Sequence, residues 1–94
     1  MQQIMASIAL TLYTRAGCHL CEDMEEILLP VASEFGCAVE RVDISSDPTL
    51  EARFGQEIPV LFVNGRKAFK YRLSERELRQ RLLAAHRGAR PFAG

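Results

Sequence analysis

The sequence predicts a single α/β domain whose elements run β-α-β-α-β-β-α, with a mixed four-stranded sheet flanked by three helices. Three observations lead there. Strand-like alternation over Ile8–Tyr13 gives way to helical spacing from Leu20. The nearly continuous apolar run Pro59–Val63 has the character of a central buried strand. Asn64-Gly65 follows it directly and is the strongest short hairpin signal. The 94 residues suit one domain over 1–94, with an ordered core at about 8–87 and loose ends at 1–6 and 89–94.

The first strand, Ile8–Tyr13, is broken by Thr14-Arg15-Ala16-Gly17. Leu20, Met24, Ile27, Leu28, Val31 and Phe35 then share one helical face. Glu22, Asp23, Glu25 and Glu26 occupy the early turns, where acids suit the positive helix end. Pro30 removes a backbone donor and should kink this helix without ending it, because the apolar spacing continues to Phe35. Gly36 closes it.

Val39–Ile44 reads as the second strand, parallel to the first because a helix joins them. Asp47 caps a short helix with Pro48 in its first position, Leu50 and Phe54 on its buried side and Gly55 as its stop. Beyond the hairpin turn, Arg66–Tyr71 should pair antiparallel with the apolar strand. Ser74-Glu75-Arg76-Glu77 is a capping box, with Leu73 and Leu78 as a hydrophobic staple. Leu78, Leu82 and Ala85 extend an apolar stripe until Gly88.

Hydrophobic residues make up 48% and charged residues 26%, a globular composition. The formal net charge of zero argues against nucleic-acid binding by bulk charge. Arg76, Arg79, Arg81, Arg87 and Arg90 read as a solvated helix face. No apolar run approaches the roughly 20 residues of a membrane helix. Met1–Ser7 lacks the basic and apolar regions of a signal peptide. The expectation is a soluble, cytoplasmic, monomeric protein. Three cysteines fit that compartment and are too few for a disulfide scaffold.

Cys18-His19-Leu20-Cys21 falls where the first strand turns into the first helix. The leading N–H groups of a helix lack intrahelical partners and carry partial positive charge. A thiolate placed there is stabilised. Cys18 should sit at the exposed cap and Cys21 one turn further in, near enough for a disulfide to form and break. Cys18 would then attack a substrate disulfide, and Cys21 would resolve the mixed disulfide. Arg15 and His19 would add positive charge beside Cys18, while Glu22 and Asp23 would oppose it at Cys21. Half a zinc site has the same spacing, but the remaining candidates, Cys37, His19 and His86, form no second close pair.

Leu12–Cys21, with Ile58-Pro59-Val60 downstream, resembles the glutaredoxin-like members of the thioredoxin superfamily, in particular small proteins with a Cys-His-Leu-Cys-type site. The resemblance spans roughly residues 8–86. It implies a thioredoxin/glutaredoxin fold and a cis bond between Ile58 and Pro59 that faces the cysteine pair. The Ile58 backbone would there be offered to an extended substrate. It also implies a disulfide-containing protein or a glutathione mixed disulfide as substrate. No cofactor would be bound, and glutathione or a thioredoxin-type system would act as reductant.

Two features depart from that family. Most glutaredoxins carry Cys-Pro-Tyr-Cys, whereas His19 and Leu20 stand between the cysteines here. The Gly-Gly stretch that holds glutathione is replaced within Phe69–Ser74. Arg72 or Lys70 could pair with a glutathione carboxylate or could simply be exposed charges. Cys37 reads as a small buried residue, His86 as a cation near a helix end and Tyr13 as core. Two other functions fit the same cysteine pair: a binding or regulatory module, and a carrier of a soft ion such as Cu(I) or Zn.

Overall fold

The computed structural model describes residues 8–89. Of the expected loose ends, 1–6 and 90–94 lie outside the described residues, while Ala89 belongs to the last helix. The elements are β1 (Leu10–Thr14), α1 (His19–Glu34), β2 (Val39–Asp43), a 3-10 turn (Ile44–Ser46), α2 (Pro48–Phe54), β3 (Val60–Val63), β4 (Arg66–Lys70) and α3 (Glu75–Ala89). The sheet order is β2-β1-β3-β4, with β1 parallel to β2 and the other pairs antiparallel. This is the mixed four-stranded sheet and three-helix arrangement that the element order predicts.

The two central strands are apolar on both faces because helices cover both faces. Leu10, Leu12, Leu61 and Val63 join Met24, Leu28 and Val31 of α1 and Leu78 and Leu82 of α3 in the larger core. On the other face, Val60 packs with Ile44 and Phe54 of α2, and Tyr13 and Phe62 close over them. Tyr13 stacks on Phe54 with ring centroids 4.5 Å apart and meets Phe62 edge-on at 5.3 Å. Tyr13 is core, as its place in the strand suggests.

Local chemistry sets the element ends. β1 starts two residues later than expected and takes in Thr14. β2 stops at Asp43 because that side chain accepts from the amide and hydroxyl of Ser45, folding Ile44 into the turn. Asp47 caps α2 by accepting from the amides of Thr49 and Leu50. α1 runs through Pro30 to Glu34, and Gly36 leaves it at φ +72°. Asn64 and Gly65 have φ of +53° and +79°, the pair of left-handed residues that a tight hairpin needs. Asn64 also ties the hairpin to the start of β1 through two hydrogen bonds with the Ala9 backbone, each 2.8 Å. α3 passes through Gly88 rather than ending before it, since a glycine permits a helix exit without forcing one.

Candidate functional site

The carboxyl ends of β1 and β2, the amino end of α1 and the start of β3 converge on one edge of the sheet. From Thr14 the chain turns through Gly17, at φ +78°, into Cys18. Cys18 is the N-cap of α1, with φ −99° and ψ 114°, and its Sγ accepts from the Cys21 amide at 3.1 Å. One of the helix's unpartnered N–H groups is thus satisfied by sulfur. Cys18 is half-buried, and Cys21 is 2% exposed.

Burial pushes the Cys21 thiol up, and its hydrogen bond to Cys18 pushes the same way. The Thr14 side chain and the Arg15 backbone, both bonded to Cys21, oppose that shift. Thr14 is 3% exposed, a buried hydroxyl ending a strand of otherwise apolar inward positions. Its role could have been suspected from one signal only, a polar residue in register with Leu10 and Leu12.

Arg15 stands near both cysteines and is bound on its other side. Its Nη2 lies 2.6 and 2.7 Å from the two carboxylate oxygens of Glu51 on α2. Hydrogen bonding to Glu51 raises the guanidinium pKa most, and the two cysteines add to it. The positive charge expected beside Cys18 is therefore shared with a carboxylate 36 residues away, which no local pattern announces. The His19 side chain is 96% exposed, with Nδ1 3.7 Å from Glu22.

The Ile58–Pro59 peptide is cis. Tyr13 pairs with Val60, so Pro59 comes just ahead of that pair, beside the end of β1 that carries Thr14. Ile58 packs against the Ile44, Phe54 and Val60 cluster. Tyr71, which the sequence did not single out as a site residue, reaches the same loop. Its amide donates to Pro59 O at 2.9 Å and its hydroxyl to Gln56 O at 3.0 Å. A groove of about 100 Å³ separates Tyr71 and Arg72 from Leu20, Met24 and Ile27. Lys70 Nζ stands 5.3 Å from the Tyr71 ring centroid.

Cys37 belongs elsewhere. It follows α1 where Cys18 precedes it, and 16 residues of helix put roughly 24 Å between those ends. It is buried, its thiol donates to Phe35 O at 3.8 Å, and burial pushes that thiol up. His86 lies in the last turn of α3. Among the described residues no group of three or more His, Cys, Asp or Glu is placed to hold a metal ion. No helix among them is long and apolar enough to cross a membrane.

The model of the glutaredoxin-like domain family (DUF836) matches residues 9–83. The chain belongs to this family. The match takes in the cysteine pair, Glu51, the Ile58–Pro59 loop and Tyr71 together. An uncharacterized protein of Mycobacterium tuberculosis is 32% identical over 85 residues, covering 85% of this chain and 88% of that protein. A crystal structure of a protein from X. campestris superposes with a TM-score of 0.70 at 36% identity, covering 81% of this chain and 97% of that one. A thioredoxin from Halobacterium salinarum, 18% identical, superposes with a TM-score of 0.64, covering 95% of this chain and 80% of that one, and shares the fold. This member of the glutaredoxin-like family thus has a thioredoxin fold with Cys18 and Cys21 at the head of α1.

Proposed function

We propose that the protein is a thiol–disulfide oxidoreductase with a dithiol mechanism. The observation that carries this reading is the capped pair: a half-buried sulfur accepting from the first turn of a helix, bonded to a buried thiol one turn on.

Cys18, as thiolate, attacks one sulfur of a substrate disulfide. A Cys18–substrate disulfide forms, and the other substrate sulfur leaves as a thiolate that takes up a proton. Cys21 then loses its proton and attacks Cys18. The intramolecular disulfide forms and the second substrate sulfur leaves. Two electrons have passed from the pair to the substrate, whose two sulfurs take one proton released by Cys21 and one from solvent. A thiol reductant, either two molecules of glutathione or one thioredoxin-type dithiol, returns the electrons.

Thr14 and the Arg15 amide support the second step, since both bond to the Cys21 sulfur on which charge develops. Arg15 and His19 would assist on the attacking side; the Ile58 amide donates to Phe54 O and Pro59 O accepts from Tyr71, so a substrate segment would pair there through the Ile58 carbonyl. The substrate is a disulfide-containing protein or a glutathione mixed disulfide, met in the cytoplasm. A soft-metal carrier would rest on Cys18 and Cys21 alone, since no group of three or more His, Cys, Asp or Glu is placed to hold a metal ion among the described residues.

Cys21→Ser tests the order of attack. It should accumulate a mixed disulfide on Cys18, seen as a mass adduct on the peptide containing residue 18. No adduct, or an adduct on Cys37 alone, counts against the assignment.

A further inference from the structure

Tyr71 holds a backbone that its side chain disfavours. Its φ is +71°, in the left-handed region where a bulky residue is an outlier. Glycine would take that conformation freely and would still supply the amide that donates to Pro59. Only the phenol makes the second bond, to Gln56 O. The side chain is therefore what the disfavoured backbone retains, and such retention marks a constrained site.

The two bonds grip the loop at both ends. Gln56 and Pro59 bracket Glu57 and Ile58, so Tyr71 spans the segment lying beside the end of β1. Tyr71 is 41% exposed and lines the groove together with Leu20, which stands between the two cysteines. One residue thus connects the loop to the surface next to the thiols.

We propose that Tyr71 is a positioning residue for the exchange, fixing the Gln56–Pro59 backbone so that the extended polypeptide around a substrate disulfide can lie along it beside Cys18. The inference rests on the exchange reading above and narrows its substrate to a protein disulfide. A small disulfide does not need that edge. Its sulfur has only to reach Cys18.

The test compares wild type, Tyr71→Phe and Tyr71→Gly on two substrates: a decapeptide carrying a mixed disulfide with 2-mercaptoethanol, and 2-hydroxyethyl disulfide. Tyr71→Phe keeps the ring and removes only the bond to Gln56. It should raise KM for the decapeptide about fivefold, the size of one net hydrogen bond, with kcat unchanged. Tyr71→Gly relieves the backbone, frees the loop further and should raise that KM at least as much. KM for the small disulfide should rise less than twofold in both. An equal rise for both substrates would show a merely structural role and overturn the proposal, as would no rise for either. Wild-type protein that exchanges with neither substrate would overturn the oxidoreductase reading itself, a failure distinct from that of Tyr71.

Discussion

The amide of Cys21 donates to the sulfur of Cys18 at 3.1 Å, so the helix that buries one thiol is capped by the other. The position that carries the chemistry is also a structural one. Caps are usually made by oxygen, with serine among the best. The two roles of Cys18 can therefore be separated.

Cys18→Ser should abolish exchange and leave stability unchanged or higher, because the hydroxyl is the better cap. Cys18→Ala should abolish exchange and also cost about 1 kcal/mol, since no side chain then meets the amide. Denaturant unfolding of the two reduced variants reads the difference. If alanine and serine are equally stable, the cap contributes nothing.

Arg15 divides its charge between Glu51 and the cysteines. Arg15→Gln should slow alkylation of Cys18 by iodoacetamide at neutral pH a few-fold. Glu51→Gln removes the competing carboxylate and should speed it by a similar factor. Both effects should shrink in high salt, because the pair is more than a third exposed. Gly55 belongs to this arrangement. A Cβ there would come within 2.5 Å of the Glu51 backbone O and 2.8 Å of Glu51 Oε1, so Gly55→Ala must shift the end of α2 itself and should lower the urea midpoint.

Burial raises both the Cys21 and the Cys37 thiols above their ordinary value of 9.0. The folded chain keeps these protons to higher pH than the unfolded chain does. Their contribution to stability is complete below the unfolded values and is lost as pH rises through the folded ones. The urea midpoint of the reduced protein should therefore fall between about pH 8 and about pH 11. Cys37→Ser should remove part of that fall. A midpoint that rises across this range would contradict the assignment.

Leu12 and Leu28 are fully buried from opposite sides of the larger core, whereas Leu29 is 44% exposed. Leu12→Ala and Leu28→Ala should each cost about 2–5 kcal/mol. Leu29→Ala should stay within about 0.5 kcal/mol. Denaturant unfolding at pH 7 checks all three.

Features carried by neighbours in sequence are legible in the sequence itself. The Asp47-Pro48 helix start, the Asn64-Gly65 turn, the Ser74 cap and the change of period after Tyr13 all express themselves within a few residues. The cysteine pair belongs to the same class, since its spacing and its place at a strand–helix junction are local facts. What stayed hidden depends on the closed sheet. Glu51 meets Arg15 only once α2 folds over the end of β1. Tyr71 reaches Gln56 only because β4 returns alongside β3. The apolar side chain of Ile44 fits a strand, but the Asp43–Ser45 hydrogen bonds turn the backbone there.

The most direct test is a redox titration of the Cys18–Cys21 couple in buffers of defined potential, with free thiols counted by alkylation and mass. One two-electron transition is expected, with a disulfide joining residues 18 and 21 and a midpoint in the range of roughly −270 to −120 mV spanned by thiol–disulfide proteins. Both thiols remaining alkylatable at the most oxidising potential, or a disulfide that recruits Cys37 instead, would contradict it.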